Sequence, residues 1–529
     1  MKTKTGSRNR EHGVIDDSSV RLVGMDPRLA REVVREEEDL RYPLLASSLE
    51  PPRVALDVAD APHATLANGL GANWSPAGQG EEAFPEDADE AGWAKVFGAM
   101  TSAGIRWVRY WLQPGFVARD GRLDRTHRFL ARLDRLQRWA AQQDAAIMLE
   151  LATVPADFQA GGVHDAPADN QRYVDEYIVP VVRHVMLERG CDRIRQLCLF
   201  NEPFNPDVRP YIFYPPPGRE PLDYYVDLHE RLRAALDRIG LQRLGLIGPN
   251  SANLFQRHIE MFEDKGLGPR VTRAFAELDC HQWRLRFDYY PPSKRWPGYT
   301  VTEGIERYLE PTLAAARRLG KPLSLTEAGA MYFNENPCTA RVAQHDAFLV
   351  MAEGLVRSIN AGVAGAMIWS FTSAGRTDGQ WGWIGPRQAG FAPVPNLLNG
   401  FTALMRYHRP GAAIHRCVVR PSDFAPFISA GALAMPGAGE TLWLLNDHPV
   451  ENIRVTVRLP AGWSRRPLHG VRKGFAPELQ RLDALPAGAE VTCVLPGMSL
   501  TTWTTLPYTS NWPPAPPCRS SRKRNRLTH

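Results

Sequence analysis

Cysteine is scarce in this chain. Seven cysteines in 529 residues form no CxxC pair and show no His/Cys spacing that suits zinc. That excludes a disulfide-stapled or zinc-built scaffold and fits a reducing compartment. Long apolar runs are missing too. No stretch approaches about 18 uninterrupted apolar residues, so no membrane-crossing helix is expected. The Lys and Arg residues near the N-terminus have no apolar run behind them, so no signal peptide is read. The expectation is a cytoplasmic protein with no membrane partner, although a start assigned too far downstream would hide a secretion signal. Charge of one sign is also lacking. The net charge is +5, and residues 519–526 (RSSRKRNR) carry five positive side chains, so the remainder is near neutral and nucleic acid is not an expected partner. Finally, there is no GxGxxG turn. NGLGAN at 68–73 has the wrong spacing and no helix begins right behind it.

What is present is a rhythm. From about Val54, short apolar runs alternate with amphipathic stretches. The runs are Thr65–Asn73, Ile105–Leu112, Ala145–Leu151, Leu197–Asn201, Leu244–Pro249, Leu278–Trp283, Leu323–Glu327 and Gly365–Phe371. Helical periodicity fills most of the gaps, at Leu123–Gln142, Tyr173–Glu188, Tyr224–Ile239, Thr302–Leu319 and Arg341–Ala361. Gly104, Gly190, Gly240, Gly320 and Gly362 stand just before the next run, where helices end. Eight strand-then-helix units predict an α/β fold, a (β/α)8 TIM barrel, over a doubly wound open sheet.

After about Arg409 the helical period disappears. Runs such as Thr441–Asn446, Ile453–Leu459 and Glu490–Leu495 alternate with Pro/Gly turns and read as a C-terminal β-sandwich domain. Val54–Val58 is a candidate extra strand for it. The expected division is a polar N-terminal extension over 1–52 with one helix at 26–40, a catalytic barrel over 53–408, a β-sandwich over 409–507, and a disordered basic tail over 508–529.

In such a barrel the chemistry sits at the C-terminal strand ends. Strand four ends in Asn201-Glu202-Pro203 and strand seven in Thr326-Glu327. Strand two holds Arg109 and Tyr110, strand six His281 and Trp283, and strand eight Trp369. Strand one ends near Asn73 and Trp74. Strands four and seven face each other across a barrel mouth. Two opposed carboxyls suit glycoside hydrolysis, in which one protonates the leaving oxygen and the other attacks the anomeric carbon. The acid needs a raised pKa from burial or from its neighbour. The nucleophile must stay ionised, which Arg109 favours. Asn201 is placed to donate a hydrogen bond to a sugar 2-hydroxyl.

Asn-Glu-Pro after strand four, Glu after strand seven, Arg on strand two and Trp on strand eight resemble the clan A retaining glycoside hydrolases. Families 5, 30 and 39 belong to that clan, and members of 30 and 39 also carry a β-sandwich. The resemblance covers about 54–507. It implies that Glu202 is the acid/base, Glu327 the nucleophile and Asn201 the 2-hydroxyl ligand. Arg109 and Trp369 correspond to the clan's strand-two Arg and strand-eight Trp. Family 5 has His-x-Tyr on strand six where this chain has His281-Gln282-Trp283, so Tyr332 or Tyr110 stands as the substitute. Family 5 also has a His after strand three, and LELATVPADF offers none.

The remaining candidates contact substrate. They are Trp74, Trp369 and Trp283 as aromatic surfaces, His281 as a polar contact, and Asp378 in the loop TDGQWGWI as a hydroxyl ligand. Glu150, at the end of strand three, has no assigned role. The expected function is a retaining glycoside hydrolase acting through a covalent glycosyl-enzyme on an oligo- or polysaccharide or glycoside, with no cofactor and no metal. The alternatives are a transglycosidase with the same residues, or a non-catalytic carbohydrate-binding protein on a barrel scaffold. A phosphate-binding or aldolase-type barrel is disfavoured, since no Lys ends a strand.

Overall fold

The computed structural model describes residues 50–74, 81–112, 118–119, 122–159, 166–204, 213–251, 257–282, 305–329, 341–372, 382–421, 423–448 and 451–506. The helix expected at 26–40, the basic tail, and the candidates Trp283, Tyr332 and Asp378 lie outside the described residues.

Eight parallel strands close into a barrel in chain order. They are β1 Gly69–Asn73, β2 Trp107–Trp111, β3 Ala146–Glu150, β4 Ile194–Cys198, β5 Gly245–Ser251, β6 Glu277–Gln282, β7 Leu323–Ala328 and β8 Gly365–Ile368. The helices return outside. Arg128–Gln143 shows why: Phe129, Leu130, Leu133, Leu136 and Ala140 recur at three- and four-residue spacing and are buried, while its other face is polar. Helix Glu90–Ala103 stops at Gly104, whose φ of 76° lies in the left-handed region; a Cβ there would stand 2.5 Å from the Arg406 Cα. No described helix is long and apolar enough to cross a membrane.

Period-two alternation sorts each strand. On β2, Trp107, Arg109 and Trp111 face the barrel interior, whereas Val108 and Tyr110 pack outward in the core shared with the helices. Gly71 of β1 permits close strand packing, because a Cβ there would meet the Trp107 carbonyl oxygen at 1.7 Å.

The barrel floor is polar. Glu277 accepts from Asn68 (2.7 and 2.9 Å), from Gln196 (2.6 Å) and from the Ser324 hydroxyl. Gln196 in turn accepts from the Trp107 indole at 2.8 Å. Above lies an apolar plug of Trp107, Met148, Cys198, Ile247 and Met367.

Two of the boundaries that differ from expectation bear on the floor and on the second sheet. β4 begins at Ile194 and ends at Cys198, so Leu199–Asn201 lie beyond it. Gln196 disguised its start, since this polar residue faces inward to serve Glu277. The run Thr65–Asn73 divides between two sheets. Its first part closes the 14-residue strand Arg53–Leu66, and its last part is β1.

That long strand belongs to a second, mixed sheet of nine strands. It pairs antiparallel with Ala412–Val419 and parallel with Ile453–Arg458. Residues 53–66 therefore sit with the C-terminal sheet rather than the barrel. One face of the sheet packs on helices Arg341–Ala361 and Pro395–Met405, joining Leu433, Trp443, Leu445 and Leu500 to the barrel's core. The other encloses its own core of Leu56, Val455, Trp463 and Leu495.

Candidate active site

Arg109, in the middle of β2, is fully buried. A guanidinium carries five N–H donors and no acceptor, and all five have partners. Nε donates to Glu150 Oε2. Nη1 donates to Asn73 Oδ1 at 3.2 Å and to Glu327 Oε1 at 2.5 Å. Nη2 donates to Asn201 Oδ1 at 2.8 Å and to Asn250 Oδ1 at 3.1 Å. These partners come from β1, β3, β5, β7 and the residues just after β4, so one side chain ties together six strands. The guanidinium also stacks on Trp111, 4.9 Å from the ring centre. Burial opposes its charge, and Glu150 and Glu327 outweigh that and hold Arg109 protonated beyond its usual range.

Glu327 reaches the mouth through a bulge. Ser324 serves the floor and Thr326 faces inward to Asp279, so strict alternation would turn residue 327 outward. The register against both neighbouring strands slips between Leu325 and Ala328. The extra residue aims Glu327 inward beside Thr326. Glu202 follows β4 with a φ of 49°, a left-handed conformation that costs a non-glycine residue roughly 1 kcal/mol or more. Ala152 (φ 66°) and Asn250 (φ 56°) border the same site. Asn250 holds the turn, accepting from the Glu202 backbone N–H at 3.3 Å. It is itself fixed by two bonds to Asp279, each 2.7 Å. Thr326 completes the layer, donating to Asp279 at 2.7 Å.

His281 joins the two glutamates. Its Nδ1 lies 2.8 Å from Glu202 Oε1 and 3.5 Å from Glu327 Oε2. Burial works to lower its pKa; the Glu327 and Glu202 carboxylates overcome this and raise it. One oxygen from each glutamate and one ring nitrogen of His281 fall within 4.8 Å of one another. A cation fits that donor set by type. Arg109 already brings positive charge to Glu327, so the group suits proton handling better than ion binding.

The structure thus brings Glu202, Glu327, Asn201, Arg109 and His281 together. Asn201 must turn Oδ1 toward Arg109, which leaves its Nδ2 donor to offer elsewhere. Trp369 lies at the rim, 8% exposed and tilted on Trp111 at 5.6 Å. Trp74 is not at the site. It stacks on Phe84 at 4.6 Å, donates its indole N–H to the Ala83 carbonyl at 3.1 Å, and is buried among Trp93, Phe97 and Phe371. β1 ends at Asn73, so the inward position there belongs to Asn73 and the outward one to Trp74. Tyr110 likewise faces the helices, its hydroxyl donating to the Phe129 carbonyl at 2.9 Å.

Sequence reasoning missed Trp111, Asn250 and Asp279. Trp111 follows Arg109 at period two, Asp279 precedes His281 at period two, and Asn250 ends the run LGLIGPN. Each signal was available.

No protein-family model matches the sequence, and no curated protein does. Solved structures do match in fold. The glycoside hydrolase family 30 subfamily 8 xylanase Xyn30A from Clostridium acetobutylicum superimposes with a TM-score of 0.61 at 14% identity, covering 86% of this chain and 100% of the xylanase. A family 39 β-xylosidase from Caulobacter crescentus gives 0.54 at 15% identity, covering 86% and 100%. An endo-β1,6-glucanase gives 0.57 at 14%, covering 88% and 95%. The chain therefore shares the barrel-plus-sheet fold of clan A glycoside hydrolases.

Proposed function

We propose that this protein is a retaining glycoside hydrolase. The observation that carries the reading is the short reach between Glu202 and Glu327, with an oxygen of each within 4.8 Å. Retaining enzymes hold their carboxyls about 5–5.5 Å apart, and inverting enzymes need about 6.5–9.5 Å to admit a water. In the first step a carboxylate oxygen of Glu327 bonds to the anomeric carbon. The glycosidic C–O bond breaks, and Glu202 gives its proton to the departing oxygen. In the second step Glu202 takes a proton from water as that water attacks the same carbon, and Glu327 leaves as carboxylate. Arg109 Nη1 donates to Glu327 Oε1 and holds that carboxylate in place for attack. Asn201 Nδ2 serves the sugar 2-hydroxyl. The scheme needs no cofactor.

The fold neighbours act on xylose- and glucose-based substrates by their descriptions, so β-xylosyl and β-glucosyl compounds head the panel to test. The experiment is intact-mass spectrometry after incubation with 2-deoxy-2-fluoro glycosyl fluorides, followed by peptide mapping. One sugar attached to Glu327 is the expected result. A label on another residue, or none with any sugar in the panel, goes against the reading.

A further inference from the structure

Glu150, like Asp279, is an acid of the site that the proposed chemistry does not use, and it alone of the two bonds Arg109. It ends β3, is fully buried, and gives Oε2 to Arg109 Nε. Its other oxygen, Oε1, is buried and has no hydrogen-bond partner among the described residues. That oxygen is left unsatisfied at a cost, while Oε2 balances the buried Arg109 charge, which an apolar side chain would strand. The same bond also sets the guanidinium. Nε sits at the root of the guanidinium, and a bond there fixes the roll of the plane that aims Nη1 at Glu327 and Nη2 at Asn201.

We propose that Glu150 is a positioning residue: it anchors Arg109 through Nε and divides the guanidinium charge, so that Glu327 receives a fixed donor but only a share of that charge. The proposal rests on the glycosidase reading above. Burial pushes the Glu150 carboxyl up to about 7 against the pull of Arg109, so the share it takes changes near neutral pH. The titratable and charged groups around it are Arg109 on β2, Cys198 on β4, His281 on β6 and Glu327 on β7.

The test compares Glu150→Gln and Glu150→Ala with the wild type, using an aryl glycoside of the sugar that labels Glu327. The Gln variant keeps an oxygen for Nε and removes the charge. Its Tm is expected to stay near wild type and its KM within about threefold, with kcat lower by about tenfold, as for other residues that orient a catalytic group. The acidic limb of kcat/KM is expected to shift in the Gln variant, since Gln does not titrate near 7 as Glu150 does. The Ala variant frees the guanidinium to roll and loses about a hundredfold in kcat. A Gln variant matching wild type in kcat, KM and acidic limb overturns the proposal. So does a loss of activity that merely parallels lost Tm in both variants. Wild-type labelling is the control for the parent reading: if Glu327 is labelled and E150Q is unchanged, only the role of Glu150 fails.

Discussion

Arg109 Nη1 donates to Glu327 Oε1 at 2.5 Å inside a barrel where neither side chain meets solvent appreciably. This bond belongs to a fork with five partners, and its geometry cannot be reproduced by a compact ammonium.

Arg109→Lys should therefore disable the site while keeping the charge. Lys offers three donors from a single point, so at least two of the five acceptors lose their bond. We expect kcat/KM to fall by at least about a hundredfold. Arg109→Met should in addition destabilise by about 3–5 kcal/mol, since it strands Glu150 and Glu327 in a dry interior. Steady-state kinetics and thermal melts check both.

The two glutamates should fail differently. Glu327→Ala removes the proposed nucleophile and should abolish turnover of every substrate. Glu202→Ala removes the proton donor, worth about 10²–10⁴-fold. That loss should shrink for leaving groups that need no protonation, such as dinitrophenolate. Equal losses for activated and ordinary leaving groups would contradict the assignment.

Asn250→Ala tests the layer beneath the catalytic residues. It removes the acceptor of Arg109 Nη2 and of the Glu202 N–H, and the Nδ2 donor to Asp279 and Thr326. The side-chain bonds vanish while the backbone N–H of residue 250 remains. A stability loss of about 1–3 kcal/mol is expected from the buried groups left unpaired. A fall in kcat should accompany it, because Glu202 loses the hold on its strained turn. Urea unfolding and kinetics on one preparation separate the two effects.

The barrel floor predicts a pH dependence of stability. Burial pushes the Glu277 carboxyl up to about 7, against hydrogen bonds from Ser324, Asn68 and Gln196 that favour the anion. Its folded value thus lies above the unfolded one, near 4.3. The native state binds more protons between those values, so stability falls as pH rises through the window. The contribution of Glu277 is fully present below about 4.3 and lost above about 7, with an upper bound of about 3–4 kcal/mol. The stability of the wild type relative to Glu277→Gln should fall steadily from pH 4.5 to 7.5 in melts. A constant difference would refute the shift.

Much of the fold was legible because strands and helices here have different periods. The helix Arg341–Ala361 was read with its observed bounds. Glu202, Glu327 and Asn201 were legible because they end apolar runs at the face where barrels do chemistry, and Arg109 because it puts a charge inside one. Trp74 was misread for the same reason: the end of a strand is visible in sequence, but which face its last residue takes is not. The bulge at Thr326–Glu327 was invisible, since it changes no composition. Asn250 and Asp279 were hidden because they support other residues and touch no expected substrate. The polar floor disguised the start of β4, where inward Gln196 broke an apolar pattern.

The strand Arg53–Leu66 gives the chain an order of assembly. It is synthesised before the barrel, yet its partners are Ala412–Val419 and Ile453–Arg458. At about 5–20 residues per second, it waits roughly 20–70 s on the ribosome for the first of them. During that wait its edges are unpaired while the barrel is being made. Its central place in the sheet makes the wait consequential. Without it, the strand order divides into one sheet of six strands and a two-stranded ribbon of Ile453–Arg458 and Glu490–Leu495, and such a ribbon is marginal in water. A polypeptide beginning at Gly69 would keep Arg109, Glu202 and Glu327 and lose the seam that joins the two parts of its second sheet.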